Sequence, residues 1–465
     1  EIYTLSLHDA LPIWSAPLLN WEAEYKEKIV TAEEAAKCVK SGDWIEYAFG
    51  VASSDAFDKA LAKRAGELED VKIRCDIGAY PHYTLEADNQ VFTWNSWHVA
   101  GQDRKWVGKG LYYLPMKFHE CPMMTLNDCD PNDIFVAQVS SMDKHGYFSW
   151  GAGNPSSNAA CEVAKTVILE VNPKMPRVLG GGQELIHITQ ADYVIEVDND
   201  LPVLPDLPPS EVEQRIAEQL IPKLQNGCCI QLGIGGVPNA VGAMIAASDL
   251  KDLGVHTEMY VDAYVRMSEA GKITGKYKNI DKYKQVFSFA MGSEKLYDFI
   301  DDNPSVISYN VDYTNHPWVI AQLDNFVSIN ACIELDLFGQ VCAESVGTKH
   351  ISGTGGQLDF VEGAYKSKGG LSFVCTPATK VIKGELISTI KPILTPGAIV
   401  TDPRTATHMI VTENGIANLK GKSTWERAEA LIAIADPKFQ DELVKEAEAM
   451  NIADQIGRAS CRERV

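Results

Sequence analysis

The sequence predicts an α/β protein made of two related, open and mostly parallel α/β domains. Predicted strands and helices alternate along the chain, which is typical of doubly wound sheets. Both halves also begin with the same series of helix cap, strand, glycine-containing loop and helix. Ligands of such folds bind in the crevice at the carboxyl ends of the strands. We therefore expect the functional site in the cleft between the two domains.

Each half opens with a helix capping box, in which a hydroxyl residue is followed three positions later by glutamate. The boxes run from Thr31 to Glu34 and from Ser210 to Glu213, and the second begins an amphipathic helix. The elements that follow are strands 44–49 and 228–232, helices 55–68 and 239–247, and strands 71–74 and 255–258. This match indicates a duplicated domain, and it places Arg74 where the second half has Glu258.

A proline-rich segment, 199–209, is the best candidate for a linker between the halves. It sets the predicted domains at residues 21–205 and 206–450, the second of which carries Glu258. Further strands are predicted at 134–139, 166–171, 326–330, 398–401 and 409–412, and terminal helices at 425–435 and 438–450.

Both ends of the chain look foreign to the protein. Residues Ile456 to Val465 can be encoded by a DNA string whose reverse complement, read in another frame, encodes Thr4 to Pro12. That DNA string resembles a common sequencing adapter. We therefore expect most of 1–20 and 451–465 to be adapter-derived, with the origin of 14–20 left open. The alternative for the amino end is a secretory signal peptide, but a basic start and a sustained apolar run are both missing.

The composition is that of a soluble globular protein, with 45% hydrophobic and 23% charged residues among 465. No apolar run reaches the roughly 18 residues that a membrane helix needs. A net charge of −21 argues against a nucleic-acid partner, which requires a basic surface. The 11 cysteines lack the spacing of a metal site, so we expect reduced thiols, no metal and a cytoplasmic location.

Two glycine loops and one carboxylate are the candidates for chemistry. The first loop, 233–239, follows a strand and precedes a helix, which suits a dinucleotide site, a purely structural turn, or an anion cradle at a helix N-terminus. The second loop, 352–360, has a similar glycine content. Glu258 at a strand end would be a nucleophile in acyl transfer if the loops bound a cofactor and a developing oxyanion.

Taken singly, these residues have ordinary structural explanations. A glutamate near a strand end is usually a solvated or salt-bridged surface group, and His256 is more often a structural histidine than a base. Asp359 could cap a turn, and Asn330 could bond to backbone within a strand. The decision therefore depends on the motifs in combination.

In combination, the stretch 344–360, the loop 233–241 and the His-Thr-Glu-Met sequence around Glu258 resemble the acetyl-CoA hydrolase/transferase family of class I CoA-transferases. The resemblance runs from about residue 21 to 450. Within that family, segments 92–97, 142–148 and 311–315 look like those of the enzymes that use butyryl-CoA and acetate. The 4-hydroxybutyrate CoA-transferases share the core motifs.

The resemblance implies that Glu258 is the catalytic residue and becomes a glutamyl-CoA thioester in ping-pong transfer of CoA from butyryl-CoA to acetate, in anaerobic butyrate metabolism. It also implies CoA thioesters as substrates, no permanently bound cofactor, and a homodimer or homotetramer. The positions that match the family's CoA-contacting residues are Gly233, Ile234, Gly235, Gly236, Val237, Asn330, Ile333, Gly355 and Gly356. The alternatives are a 4-hydroxybutyrate CoA-transferase, an acetyl-CoA hydrolase, or a non-catalytic module that binds small anions.

Overall fold

Two mostly parallel sheets form the framework of the protein, so the predicted fold class is confirmed. A computed structural model describes residues 21–130, 132–205 and 208–452. The first sheet has seven strands, in the spatial order Leu111–Tyr113, Phe92–Ser96, Val71–Cys75, Trp44–Tyr47, Ile134–Val139, Thr166–Val171 and Tyr193–Glu196. All neighbouring strands in it are parallel.

The second sheet has six strands, in the order Gly254–Val255, Cys229–Leu232, Phe326–Ala331, Leu371–Cys375, Met409–Thr412 and Gly415–Asn418. Only its last pair is antiparallel. Shorter strands outside the two sheets are Tyr147–Ser149, Leu185–His187, Met259–Tyr260, Gln285–Phe287, Phe289–Ala290, Val306–Ser308, Glu334–Asp336, Val341–Cys342, Ser345–Val346, Lys349–His350, Thr379–Ile382, Glu385–Ser388 and Ile390–Lys391.

Helices cover the faces of both sheets. They are Trp21–Lys28, Ala32–Ala36, Ala56–Ala62, Tyr83–Ala87, Cys121–Asn127, Ser157–Val163, Glu211–Leu220, Gly236–Ala247, Asp262–Glu269, Glu294–Ile300, Val311–Thr314, Pro317–Ile320, Gln357–Lys366, Thr424–Ile434 and Pro437–Ala449. Both predicted capping boxes are formed, with the N-cap hydroxyl and the glutamate bonding to each other's backbone amide. Each such cap stabilises its helix by about 1 kcal/mol.

The two halves share one hydrophobic core at their junction. Phe49 of the first half packs against Phe289 of the second, with ring centroids 4.5 Å apart, and against Phe118 at 5.3 Å. A backbone hydrogen bond from the Ala290 amide to the Ala152 carbonyl, 2.8 Å long, joins the same surfaces. The cleft described below lies at this junction and is lined from both sides.

The strand registers correct the predicted correspondence between the halves. Trp44 pairs with Lys72, and its equivalent Cys229 pairs with Gly254. Glu258 lies four residues after Gly254, and Asp76 lies four residues after Lys72. The residue equivalent to Glu258 is therefore Asp76, not Arg74. Arg74 lies within the strand and forms a buried ion pair with Glu46. Residue identity between the halves is too slight to fix the alignment, and the hydrogen-bonded register was needed.

Several predicted boundaries also change. The strand predicted at 255–258 ends at Val255, and chain direction changes before the short strand Met259–Tyr260, so Glu258 lies in a bend. The helix predicted at 55–68 ends at Ala62. Residues 398–401, predicted as a strand, have no strand pairing, and the prediction is wrong there. The predicted terminal tails fall mostly outside the described residues.

Candidate active site

Glu258 lies in a bend that buried neighbours hold in place. His256, two residues earlier, is fully buried, and its Nε2 donates to the carbonyl oxygen of Thr314 at 2.7 Å. Burial lowers the pKa of His256 to about 3, so the ring is neutral and serves to position the chain. The backbone carbonyl of Glu258 accepts from the amides of Ser288 and Phe289 at 2.9 and 3.2 Å.

Of the two carboxylate oxygens of Glu258, only Oε2 accepts a hydrogen bond from a side chain of the described residues. The Nδ2 group of Asn315 donates to Oε2 of Glu258 at 2.6 Å. The backbone N–H of Gly356 also stabilises this carboxylate. A Cβ at residue 356 would lie 2.0 Å from Oε2, so the glycine is needed for this close approach. Oε1 borders the second glycine loop, since a Cβ at residue 355 would lie 3.7 Å from it.

The surroundings of Glu258 shift the pKa of its carboxyl group towards neutral pH. Loss of solvent raises the pKa of Glu258 to about 7; the hydrogen bond from Asn315 lowers it, and the nearby charge of Asp359 raises it. A carboxylate that is partly shielded from water yet ionisable near neutral pH is a stronger nucleophile than a fully solvated one.

The carboxylate opens into a cleft of about 330 Å³ at the junction of the two halves. Of the residues predicted to bind CoA, Gly233, Ile234, Asn330, Ile333, Gly355 and Gly356 line it together with Glu258. Apolar lining comes from Ile77, Leu232, Met259, Phe289 and Phe360. Arg104 is the one lysine or arginine among the described residues that line it.

The first glycine loop divides this cleft from a second cavity of about 340 Å³. Gly235 and Gly236 line that second cavity, and Ile234 lines both. Val237 is buried in the first helical turn and lines neither. The N–H of Gly233 donates to the Ile329 carbonyl at 2.9 Å, so it has no hydrogen left for an oxyanion. All five positions of this loop stay predictions as CoA contacts, with different local surroundings.

The second glycine loop is held in place by the first half of the chain. The Thr354 amide donates to the hydroxyl oxygen of Tyr113 at 2.9 Å. Asp359, in the helix that follows, accepts from the amide and Nδ1 of His119 at 3.1 and 2.7 Å. Asp359 therefore joins the second half of the chain to the first by hydrogen bonds.

A second carboxyl, Asp76, lies beside the site. It is 3% exposed, and its Oδ1 has no hydrogen-bond partner among the described residues. Burial, and then the charge of Glu258, raise the pKa of Asp76 well above its usual range. Asp76 therefore holds its proton more strongly than an ordinary aspartate does.

Two negative findings apply to the described part of the chain. No helix there is long and apolar enough to cross a bilayer. No cluster of three or more histidine, cysteine or acidic side chains there is arranged to hold a metal ion.

Family models match both halves of the chain. The acetyl-CoA hydrolase/transferase N-terminal domain matches residues 18–205, and the C-terminal domain of the same name matches 292–447. The chain belongs to the acetyl-CoA hydrolase/transferase family. The predicted resemblance is therefore confirmed.

Individual members of the acetyl-CoA hydrolase/transferase family are similar over nearly the whole chain. The probable butyrate:acetyl-CoA coenzyme A-transferase of Syntrophomonas wolfei is 69% identical over 92% of this chain and 97% of its own length. The butyryl-CoA:acetate CoA-transferase of Anaerostipes caccae is 50% identical, with 93% and 99% covered. The crystal structure of RipA from Yersinia pestis superposes with a TM-score of 0.87 at 36% identity, covering 93% of this chain and 100% of that one.

Sequence reasoning missed three residues at the site. Asn315 was noted within the motif 311–315 but was given no role, and His98 and Asp76 were not singled out. A polar residue at the end of a predicted strand, as Asp76 is, was a usable signal because active sites collect at that edge. The contacts of Asn315 and His98 depend on tertiary packing and had no local signal.

Proposed function

We propose that this protein transfers CoA from butyryl-CoA to acetate through a thioester on Glu258. The observation that carries the proposal is the carboxylate of Glu258, which accepts from Asn315 and lines a cleft together with residues of both glycine loops. The names of the most similar relatives support butyryl-CoA and acetate as substrates.

In the first half-reaction Oε1 of Glu258 attacks the thioester carbonyl carbon. The carbon–sulfur bond breaks, CoA leaves as a thiolate, and a mixed anhydride remains. The thiolate then attacks Cδ of Glu258 and releases butyrate, which leaves the glutamyl-CoA thioester. In this second step negative charge develops on Oε2, to which the side chain of Asn315 already donates.

The second half-reaction runs the same steps in reverse with acetate. Its carboxylate attacks Cδ and displaces the thiolate, which then attacks the acetyl carbon to give acetyl-CoA and free Glu258. Kinetics of the ping-pong type follow from the covalent intermediate. Because a carboxylate is a weak nucleophile, placement must supply much of the rate, and good orientation is worth roughly 7–11 kcal/mol.

Exclusion of water separates transfer from hydrolysis. The glutamyl thioester is lost if water reaches Cδ before acetate does. Phe289, Met259 and Phe360 line the cleft with apolar surface, which disfavours bulk water. The choice between butyrate and other short acids rests on small differences, since one methylene changes binding by only about 1–3 kcal/mol.

The test is the fate of CoA with and without acetate. We expect acetyl-CoA and butyrate to form in equal amounts from butyryl-CoA and acetate, with little free thiol. Sodium chloride in place of acetate is the control, and turnover should stop there. Acetate-independent release of thiol would identify a hydrolase, faster transfer to 4-hydroxybutyrate would identify that enzyme, and no turnover of any acyl-CoA would refute the proposal.

The charge state of the nucleophile predicts the effect of removing Asn315. Its hydrogen bond lowers the pKa of Glu258, so Asn315→Ala should raise that pKa and move the acidic limb of the pH–rate profile upward. Activity at pH 7 should fall about tenfold, the effect expected for one hydrogen bond to a charged group. The measurement is kcat from about pH 5.5 to 9.

Asn127→Ala is the matched control, because Asn127 is exposed and its side chain bonds only to the Met123 carbonyl among described residues. An acidic limb at the same pH in Asn315→Ala and wild type would show that Asn315 does not stabilise the carboxylate.

The remaining expectations belong to the same proposal. They are a domain boundary near residue 205, a homodimer or homotetramer, a cytoplasmic location, a role in butyrate metabolism, and the absence of a permanently bound cofactor.

A further inference from the structure

His98 belongs to the first half of the chain, but its imidazole lines the cleft that contains Glu258. Its backbone is fixed on both sides. The Ser96 hydroxyl donates to the His98 carbonyl at 2.7 Å, and the amide of Val99 donates to the Ser352 carbonyl at 3.3 Å. The ring therefore has a defined place against the second glycine loop.

The protonation of His98 follows from its surroundings. Burial lowers the pKa of His98 to about 4, with Asp103 opposing, so the ring is neutral at pH 7 and carries one N–H. Nε2 lies 3.1 Å from the hydroxyl oxygen of Ser352, and among the described residues it is the acceptor within reach of that hydroxyl. When Ser352 donates to Nε2, the hydrogen of the ring is on Nδ1.

The Nδ1 atom and Oε1 of Glu258 border the same space. A Cβ at residue 353 would lie 2.9 Å from Nδ1. A Cβ at residue 355 would lie 3.9 Å from Nδ1 and 3.7 Å from Oε1 of Glu258. Glycine at both positions keeps this space open, and it is where an acyl group attacked by Oε1 would be.

We propose that His98 is a further catalytic residue, whose Nδ1–H donates a hydrogen bond to the acyl oxygen that becomes negative when Oε1 of Glu258 attacks. The proposal rests on the proposed function and adds a donor to it from the first half of the chain. No proton is transferred in this step. The oxygen gains charge as Oε1 bonds to carbon, and the pair of electrons then leaves with the CoA sulfur.

Two variants of His98 distinguish the role of Nδ1 from that of Nε2. In His98→Asn the amide nitrogen takes a position close to Nδ1, whereas in His98→Gln it takes a position close to Nε2. We expect His98→Gln to lower kcat with butyryl-CoA and acetate about 10²-fold, as for loss of one oxyanion donor, and His98→Asn to restore most of that loss. The KM for butyryl-CoA and the midpoint of thermal unfolding should match wild type in both variants.

Three results would overturn the proposal. They are a wild-type kcat in His98→Gln, an equal loss of kcat in both variants, and a fall in thermal midpoint that parallels the fall in kcat. Failure of the proposed function can be distinguished from failure of the His98 proposal alone. A wild-type protein that moves no CoA to acetate would refute the function and the role of His98 together.

Discussion

Glu258→Gln should abolish CoA transfer, with kcat reduced by roughly 10⁴-fold or more, as when other catalytic nucleophiles are removed. The amide has the same shape and can still accept from Asn315, but it cannot attack a thioester. Incubation with butyryl-CoA followed by hydroxylamine or borohydride should modify the peptide that contains Glu258 in wild type and leave it unmodified in the variant. Mass spectrometry of the digest measures both.

The stability of Glu258→Gln provides its control. A carboxyl whose folded-state pKa is raised to about 7 favours the folded state while protonated, and that contribution is lost as pH rises from the unfolded value through 7. At pH 8 the free energy of unfolding of the variant should therefore equal or exceed that of wild type. An active wild-type enzyme with an unmodified Glu258 peptide would contradict the mechanism.

Gly356→Ala should lower kcat by about 10²-fold, because a displacement of the nucleophile by an ångström is enough for such a loss. The added Cβ would lie 2.0 Å from Oε2 of Glu258 and 2.1 Å from Nδ2 of Asn315, so the hydrogen bond between them cannot keep its geometry. The backbone at Gly356, with φ of −95°, accepts alanine without strain. Steady-state kcat with butyryl-CoA and acetate is the measurement.

Gly66→Ala is the matched control for this substitution. A Cβ at residue 66 would have no atom within 4 Å, and Gly66 lies outside the residues that line the cleft. Its kcat should equal that of wild type. Equal activity in Gly356→Ala would mean that the carboxylate is not held where the structure places it.

Local patterns were sufficient to predict most of the framework. Strands 134–139, 166–171 and 409–412 were predicted with the bounds observed, because buried strands of parallel sheets are continuous apolar runs. The capping boxes were equally predictable, because their hydrogen bonds join residues that are three positions apart in the sequence. The predicted strand 398–401 failed because an apolar run alone does not supply a pairing partner.

Residues of the site could be predicted only where they lie within a distinctive sequence motif. Glu258 and the pair Gly355–Gly356 lie in distinctive sequences, and the fold brings them together. Asn315, 57 residues from Glu258, and His98, 254 residues from Ser352, meet their partners through tertiary packing. The burial of Val237 and the occupied amide of Gly233 depend likewise on the packed structure.

The register that matches Asp76 with Glu258 places an acidic residue at the same position of both halves. In a symmetric pair of identical halves, two equal carboxyls would compete for one proton, and neither would be the committed nucleophile. In this protein the two positions are unequal, because Asp76 and Glu258 differ in side-chain length and in their hydrogen-bond partners. Among the described residues only the longer of the two matched acids is held by a side-chain donor, so the two halves contribute unlike groups to one cleft.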